Sequence, residues 1–379
     1  MLASKYEKVI DIIINNAKKA TRNFLFLLGE KIFLIVESII FTKTKIVPVK
    51  ILGIESSCDE TSAAIISDNK ILSNVIANQE VHKAYGGVVP ELASRAHQKN
   101  IIPVVDLALS NANIEKNQID AIAYTRGPGL LGALLVGSSF SKSLSMSLNI
   151  PLIEVNHMQA HILCHFIADN GDKKTEFPFL GVNISGGHTQ IILCHSYFKM
   201  ELIGETIDDS IGEAFDKCGK IIGLEYPSGP EIDNKSKNGN NSFHFTIPKV
   251  KGINFSFSGL KTNFKRSVEK GVNENKNFIK IESDNLCRSL QETIIKILSE
   301  KIFLAVKKTG VKNIVFGGGV SANSGIRRYF KEQKKLNVFF SKLKYTTDNA
   351  AMIAMVGYLK FKEQNFSNLT LNSLARYKI

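Results

Sequence analysis

Two stretches of the chain begin with the same pattern, a short apolar run, a polar turn and a second short apolar run. In the first stretch the runs are 51–55 and 62–66, and in the second they are 179–184 and 189–194. Runs of this length that are separated by turn residues are typical of strand hairpins. Helical segments follow each hairpin and alternate with further apolar runs, which favours an α/β fold. We therefore predict a duplicated fold with two similar halves.

The remaining elements continue this alternation. Strands are predicted over 119–124, 150–155, 313–316 and 338–340, and helices over 91–110, 130–148, 212–222, 284–308, from 323 onwards and over 350–362. Pro103 predicts a break in the first of these helices, since proline removes a helical hydrogen bond. Residues 234–258 are rich in Asn, Lys and Gly and then in Ser and Phe, so we interpret them as a loop insertion.

These elements predict a first lobe over 51–165 and a second lobe over 166–349. We expect 350–379 to form a C-terminal helix and tail that pack back on the first lobe. With 379 residues, 44% of them hydrophobic and 22% charged, the chain is long enough for two globular domains. The net charge of +13 favours polyanionic partners such as RNA. A lysine-biased genome would explain the same charge.

Residues 1–50 carry no motif, and we treat them as an N-terminal extension. Charged residues interrupt their apolar part, 24–42, so no stable membrane span is predicted. A presequence, a membrane-surface helix and a translation start near Ile51 all stay open. The five cysteines are scattered and form no C-x-x-C pair, which indicates a reducing compartment. We expect a cytoplasmic protein, or a mitochondrial one if the extension is a presequence.

A pair of histidines is the first motif that carries chemistry. His157 and His161 are four residues apart, so on a helix they share one face and can bind one metal ion. His165 would extend the same stripe by another turn. The zincin proteases also use paired histidines, but their general base is a Glu where this chain has Met158. A surface histidine cluster remains the alternative interpretation of the pair.

A third ligand has to come from elsewhere in the chain. Asp348 lies just before a predicted helix, where a carboxylate can ligate a metal or cap the helix. Both roles stay open on the sequence pattern alone.

Glycine-rich loops follow two of the predicted strands, at 185–189 and at 317–323. Glycine lets the backbone approach a phosphate or ribose, and free N–H groups can bind an anion. Neither loop matches the Walker A or the G-x-G-x-x-G pattern, which disfavours a P-loop ATPase and a Rossmann dehydrogenase. Asp216 and Asp233, on either side of the stiff loop 227–230, could accept hydrogen bonds from ribose hydroxyls. Solvated carboxylates are the alternative.

Nine motifs, in this order and spacing, resemble the bacterial TsaD family of tRNA N6-adenosine threonylcarbamoyltransferases. The motifs are 53–61, 86–95, 127–132, the His157/His161 pair, 185–189, 212–217, 257–262, 318–323 and 347–353. The resemblance covers about residues 50–379. It departs from the family at Ser228, where a second glycine is more common, and at the C-terminal sequence Ala-Arg-Tyr-Lys-Ile. Serine fits at position 228 if its φ is negative.

The resemblance implies a duplicated actin/Hsp70-like (ASKHA) α/β fold with the ligand in a cleft between two lobes. It implies transfer of threonylcarbamoyl from threonylcarbamoyl-AMP to N6 of adenosine 37 in tRNAs that read codons starting with A, with release of AMP. It also implies two partners, the paralogue TsaB and the ATPase TsaE.

The resemblance further implies one divalent metal ion per subunit, iron with zinc as the alternative, on His157, His161 and Asp348. Carried over by motif, the contacts with the acyl donor and its nucleotide are Asn183, Ile184, Ser185, Gly186, Gly187, Asp216, Gly229, Asp233 and Asn323. No catalytic residue is assigned, although His188 or Glu60 could serve as the general base. An ATP-dependent small-molecule kinase of the same fold and a nucleotide-binding chaperone-like module are the alternatives.

Overall fold

The computed structural model describes residues 15, 16, 18–20, 48–168 and 174–379. The chain divides into two compact units, Met1–Pro48 and Val49–Ile379. The predicted extension over 1–50 lies almost wholly outside the described residues. Both five-stranded sheets lie in the second unit.

The first sheet has five strands, in the order β3-β2-β1-β4-β5. The strands are β1 (Lys50–Glu55), β2 (Thr61–Ser67), β3 (Lys70–Ala77), β4 (Ala121–Gly127) and β5 (Leu152–Asn156). β1 pairs antiparallel with β2 and parallel with β4. The predicted hairpin of β1 and β2 is confirmed, whereas β3 was not predicted.

The second sheet repeats this arrangement, with the order β10-β9-β6-β7-β8. The strands are β6 (Phe179–Ile184), β7 (Thr189–Cys194), β8 (Met200–Glu205), β9 (Asn313–Gly317) and β10 (Asn337–Phe340). β6 occupies the place of β1, because it pairs antiparallel with β7 and parallel with β9. The duplicated actin/Hsp70-like α/β fold is therefore confirmed, while the predicted lobe boundaries stay predictions.

The described residues of the second unit contain nine α-helices, joined by short 3-10 turns. They are α1 (Pro90–Ala112), α2 (Leu131–Leu148), α3 (His157–Leu163), α4 (Ile211–Ile221), α5 (Gly229–Ser236), α6 (Ser258–Glu274), α7 (Phe278–Thr309), α8 (Ser324–Lys331) and α9 (Ala350–Lys362). α5 and α6 were not predicted. None of the described helices is both long enough and apolar enough to cross a membrane.

The predicted break at Pro103 is wrong, because α1 runs through it. The proline leaves the carbonyl of Lys99 without its helical partner. Both residues are exposed, so water can solvate that carbonyl. Burial of Ile101 and Val104 on the opposite side helps to offset the cost of the proline, about 3 kcal/mol.

α3 and α9 share one apolar cluster with strands of both sheets. α9 lies directly on the first sheet, since a side chain at Gly53 of β1 would come within 2.5 Å of the Ala350 carbonyl oxygen. α3 packs against the second sheet, where a side chain at Gly181 of β6 would meet Ile162. These glycines let the two helices approach the strands closely. The helices that carry the predicted metal ligands, or follow them directly, therefore lie in the core.

The predicted loop insertion over 234–258 is shorter than expected, because α5 extends to Ser236. Residues 237–257 form no helix or strand apart from one bridging pair, Phe255 with Thr206. Asp208 fastens the end of this loop, since its carboxylate accepts a 2.8 Å hydrogen bond from the N–H of Phe257.

Candidate metal and nucleotide site

The three predicted metal ligands lie together, the two histidines buried and Asp348 half-buried. His157 and His161 project from α3, and Asp348 precedes Asn349, the N-cap of α9. Asp348 Oδ1 lies 3.4 Å from His157 Nε2 and 3.1 Å from His161 Nε2. One ligand atom from each residue falls within 4.8 Å of the others. Ligand atoms about 2.1 Å from a common tetrahedral ion lie at such separations, so the three side chains fit a single divalent cation.

The helix that carries the histidines starts at a well-defined cap. Asn156, the last residue of β5, accepts hydrogen bonds through Oδ1 from the N–H groups of Met158 and Gln159, at 2.9 and 3.2 Å. Asparagine is among the preferred N-cap residues because it satisfies helix N–H groups that have no backbone partner. The cap fixes the first turn of α3 and with it the direction of His157.

His157 is oriented by a second carboxylate, which lies on the side away from Asp348. Its Nδ1 lies 2.9 Å from Glu55 Oε2 and 3.2 Å from Ser57 Oγ. Glu55 is fully buried and accepts hydrogen bonds from Ser57 N–H (2.5 Å) and Thr125 Oγ1 (2.6 Å). A carboxylate on the distal nitrogen is the usual support for a metal-binding histidine, since it fixes the tautomer and the ring orientation.

His161 has no such support. Its ring is fully buried, and neither ring nitrogen makes a hydrogen bond. Although Nε2 lies 3.1 Å from Asp348, the contact lacks hydrogen-bond geometry. A buried polar atom without a partner costs about 1–3 kcal/mol. A cation at this point would give Nε2 a partner, so the residues present fit a metal ion.

The charges of His157, Asp348 and Glu55 shift one another's pKa values. Burial favours the neutral form of Asp348, but His157 and His161 together outweigh burial and hold the pKa of Asp348 well below its usual range. Burial likewise opposes a charge on His157, but Asp348 and Glu55 raise its pKa well above the ordinary value. The cluster thus strongly favours positive charge between its carboxylates, which a divalent ion would supply on displacing the proton of His157.

The prediction that His165 extends the histidine stripe is wrong. α3 ends at Leu163, and His165 lies in the 3-10 turn that follows. Its Nε2 accepts a hydrogen bond from the N–H of Thr175 at 3.1 Å, and its ring contacts Phe166 and Phe339. His165 is therefore a core histidine outside the metal cluster.

The first glycine loop forms a tight turn between β6 and β7. Ser185 N–H donates to the His188 carbonyl at 2.9 Å, and His188 N–H donates to Ser185 Oγ at 3.1 Å. Gly186 and Gly187 are exposed, and no atom lies within 4 Å of where their side chains would start. Their backbone can therefore be approached closely by an anion or a ribose.

Asn183 and Ile184, which precede this turn, are fully buried. The Asn183 side-chain amide donates to Met158 Sδ on α3 at 3.3 Å. Asn183 thus links the loop to the metal helix, and the predicted substrate contacts of both residues stay predictions.

The second glycine loop follows β9 and lies against the first. Gly318 has φ +86°, and a side chain there would come within 2.4 Å of the Ile184 carbonyl oxygen. A side chain at Gly317 would meet the His161 carbonyl at 2.2 Å. Only glycine fits these positions, and the close approach brings both loops next to the metal helix.

The predicted nucleotide-binding carboxylates are already hydrogen-bonded within the protein. Asp233 accepts hydrogen bonds from Ser324 N–H and Oγ, both at 2.9 Å, at the start of α8. Asn323 caps the same helix by accepting from Ile326 N–H at 2.9 Å, and its amide donates to Gln291 Oε1 at 2.8 Å. Both residues therefore fasten α8, and their substrate contacts stay predictions.

Asp216 on α4 holds the turn before α5. Its Oδ1 accepts a 2.7 Å hydrogen bond from Ser228 N–H, and burial raises its pKa. Ser228 has φ −80°, so serine adopts this backbone without strain where the family more often has glycine. No atom lies within 4 Å of where a side chain at Gly229 would start. The predicted contacts of Asp216 and Gly229 stay predictions.

The loop after β1 faces the turn before α5 in the second half. Burial raises the pKa of Tyr226, and the carboxylates of Asp216, Asp59 and Glu60 raise it further. Burial and the charge of Asp348 raise the pKa of Glu60 well above its usual value.

Burial, with the positive charge of His157 and His161, lowers the pKa of His188 to about 4. His188 is therefore neutral at pH 7, and its lowered pKa makes it a weaker base than an ordinary histidine.

Sequence reasoning missed the site residues Glu55, Ser57 and Thr125. The signal for Glu55 was a carboxylate at the end of an apolar strand, since a buried acid needs a partner. The sequence had no signal for which residue that partner would be.

Comparisons with known proteins come from sequence and from structure. The family described as TsaD, tRNA N6-adenosine threonylcarbamoyltransferase, matches residues 70–355. A protein of that name from Riemerella anatipestifer is 57% identical over 87% of this chain and 98% of its own length. Another, from Christiangramia forsetii, is 55% identical over the same shares. Among solved structures, HypF from T. kodakarensis superposes with a TM-score of 0.56 at 12% identity. The match covers 83% of this chain and 48% of that one, and it shows a shared fold only.

Proposed function

The chain belongs to the tRNA N6-adenosine threonylcarbamoyltransferases, and we propose that it transfers threonylcarbamoyl from threonylcarbamoyl-AMP to N6 of adenosine 37. The acceptors would be tRNAs that read codons starting with A, and the products t6A and AMP. The observation that carries this proposal is the triad of buried His157, buried His161 and half-buried Asp348, together with the exposed glycine loop at Gly186 and Gly187.

The reaction is an acyl transfer with a good leaving group. The N6 amine attacks the carbonyl carbon, the bond from that carbon to the phosphate oxygen breaks, AMP leaves, and N6 loses a proton. No protein nucleophile is required, so binding and orientation are the main tasks of the protein. A divalent ion on the triad would act as a Lewis acid on the oxygens of the acyl group.

The protein groups around that triad match these tasks. The N–H groups of Gly186 and Gly187 can donate to the phosphate as negative charge develops on the leaving group. For the proton from N6, neutral His188 and Glu60 are the two candidate bases, and neither is assigned.

We propose iron as the metal, with zinc as the alternative. Imidazole and carboxylate ligands suit both ions, and a structure of three protein ligands leaves a position open for substrate. Metal analysis of the protein purified without oxygen decides between them.

The proposed donor-binding set keeps Asn183, Ile184, Ser185, Gly186, Gly187, Asp216, Gly229, Asp233 and Asn323. Within it we expect direct contacts from the exposed glycine amides. Buried members such as Asn183, whose side-chain amide donates to Met158 Sδ, would act by holding the loops in place.

Partners beyond tRNA and threonylcarbamoyl-AMP are also proposed, namely TsaB and TsaE. An apolar face on α2 supports a protein partner: Leu131, Leu135 and Met146 are 49%, 48% and 66% exposed. Three large apolar side chains exposed on one helix are consistent with an interaction surface. A cytoplasmic location stays a prediction.

The kinase and chaperone alternatives explain the glycine loops but leave the buried histidine pair without a role. The deciding experiment incubates the protein with TsaB, TsaE, threonylcarbamoyl-AMP and unmodified tRNA, and then measures t6A by mass spectrometry of the digested nucleosides. We expect t6A that depends on the protein. If partners shown to be active with a bacterial relative yield no t6A with this chain, the proposal is wrong.

A further inference from the structure

Residues 366–379, here called the C-terminal tail, run along the edge of the first sheet. β5 is the edge strand there. Ser367 N–H donates to the Leu152 carbonyl, and Glu154 N–H donates to Ser367 Oγ, both at 2.7 Å. The tail thus satisfies backbone groups that an open edge would expose. It then continues along β5 towards Asn156, where the metal-binding helix begins.

The end of the tail contacts that cap directly. The Asn156 side-chain amide donates through Nδ2 to the carbonyl oxygens of Tyr377 (3.2 Å) and Lys378 (3.3 Å). The residue is 3% exposed, so water does not replace these partners. An amide has one donor end and one acceptor end. Because the tail takes the donor end, Oδ1 is left facing the N–H groups of α3.

A second path runs from the tail to the other side of His157. Gly129 N–H donates to the Ala375 carbonyl at 3.2 Å, and the next residue, Leu130, donates to the Ser57 carbonyl at 2.8 Å. Ser57 Oγ lies 3.2 Å from His157 Nδ1. The tail therefore supports both the cap before His157 and the turn that holds its hydrogen-bond partner.

The tail is itself fastened to the body of the first half. Tyr377 OH donates to Glu154 Oε2 at 2.9 Å, and the Arg126 guanidinium lies 5.1 Å from the centre of the Tyr377 ring. Arg126 Nε also donates to the Asn372 carbonyl at 2.9 Å. These contacts hold the carbonyls of residues 377 and 378 in place against Asn156.

We propose that the C-terminal tail is a positioning segment for the metal-binding helix. Through Asn156 and Ser57 it fixes the direction in which His157 and His161 face Asp348, without touching the ion itself. The inference rests on the metal site of the proposed function. Loss of the tail contacts should lower the affinity for the metal ion, because displaced ligands bind a common ion less tightly.

Asn156→Asp in the full-length chain separates capping from the tail contact. The carboxylate can still accept from Met158 and Gln159, but it cannot donate to the tail and would repel its two carbonyls. We expect Zn²⁺ and Fe²⁺ to bind about tenfold more weakly, measured anaerobically by competition with a chromophoric chelator. Added negative charge near a cation site would by itself strengthen binding, so a loss points to displaced ligands.

Lys378→Ala is the matched control, because it keeps the backbone carbonyl and removes only an exposed side chain. It should bind metal like the wild type. A second readout is amide hydrogen exchange in residues 372–379, which should speed up in Asn156→Asp only. If Asn156→Asp fails to fold, Tyr377→Phe provides a second test, because it removes the contact with Glu154. It should weaken metal binding by about threefold, which is less than the usual cost of losing an outer contact.

Wild-type affinity in both Asn156→Asp and Tyr377→Phe would overturn the inference alone. A wild-type protein that binds neither ion would overturn both the metal site and the inference. If the wild type binds metal, the variants bind it less and no t6A forms, the positioning role stands and the proposed reaction fails.

Discussion

The metal triad and the start of α8 both gather polar side chains around a helix terminus, but their hydrogen bonding differs. At α8, Asp233 and Asn323 have protein partners for the atoms that face the helix. In the triad, both ring nitrogens of His161 are buried without a hydrogen bond. The sequence predicted ligand contacts for both sets of residues. Of the two sets, only the metal triad contains buried polar atoms that have no hydrogen-bond partner among the described residues.

This difference separates two roles of a polar residue near a helix terminus. A satisfied carboxylate at a helix start stabilises the fold and has less capacity left for a ligand. A buried imidazole without a hydrogen bond destabilises the metal-free protein, and a bound metal ion removes that cost by giving the ring nitrogen a partner. A substitution in the triad should therefore weaken metal binding without lowering stability, whereas one at the start of α8 should lower stability without changing metal binding.

The largest effect is expected for His161→Leu. Loss of a ligand should weaken metal binding by more than the roughly 100-fold that an outer contact can cost, and t6A formation should fall with it. The metal-free variant should be as stable as the wild type or about 1 kcal/mol more stable, since an unpaired buried ring is replaced by an apolar side chain. Metal titration and urea unfolding in chelator measure the two quantities.

His165→Leu is the matched histidine control for that experiment. It should retain the metal and lose about 1 kcal/mol of stability, because Thr175 N–H would lose its acceptor. A His161→Leu protein that keeps its metal, or a His165→Leu protein that loses it, would contradict the site.

Glu55→Gln should have the next largest effect. It preserves the shape of the side chain but removes the charge that faces His157 Nδ1, so metal affinity should fall about 10- to 100-fold. Thr125→Val, which removes one hydrogen bond to Glu55, should weaken metal binding less than Glu55→Gln does. Equal affinity for Glu55→Gln and wild type, measured by chelator competition, would show that Glu55 does not support the ligand.

Much of the fold around these sites could be predicted from the sequence. β6, β7 and α9 begin and end where the apolar runs do, because Ser, Gly and Asn residues punctuate them. The spacing of His157 and His161 was sufficient to place both on one face of a helix. His165 was misplaced because nothing in the local pattern shows that α3 ends after two turns.

The partners of the polar residues could not be predicted in the same way. Asp233 and Ser324 are 91 residues apart, and Glu55 and His157 are 102 apart. A local pattern shows that each side chain is polar, but the order of the strands decides what it meets. Long-range contacts of this kind determine whether a buried carboxylate caps a helix, orients a ligand or remains available for substrate.

A moderate effect is expected at α8, where Asp233→Ala should lower the free energy of unfolding by about 1–2 kcal/mol. The variant leaves Ser324 N–H and Oγ without an acceptor, while metal affinity should stay at the wild-type value. Urea unfolding and chelator competition measure these. A variant with normal stability would show that the contact between Asp233 and Ser324 contributes little.

Asp233→Asn tests the predicted ribose contact at the same position. It keeps the shape of the side chain and one acceptor oxygen, so its loss of stability should be smaller. If the carboxylate also binds a ribose, AMP affinity should fall in this variant, and isothermal titration would detect the change.

The smallest effect is expected at Asp208, which fastens the loop 237–257 away from the metal. Burial would raise its pKa, but hydrogen bonds from Ser256, Phe257 and Ser258 outweigh burial and lower it. Because the folded pKa is then below the unfolded value of about 3.9, the stabilisation is present above that pH and is lost as the pH falls through the folded pKa. Asp208 is exposed, so solvent screening should keep the effect under about 1 kcal/mol.

Asp208→Asn should remove that pH dependence. The stability difference between wild type and variant, from urea midpoints, should be present at pH 6 and shrink below about pH 4. Subtracting the variant isolates Asp208 from the metal ligands, which titrate in both proteins. A difference that grows on acidification would have the wrong sign for a carboxylate stabilised in its charged form. It would mean that the loop is held by contacts other than this one.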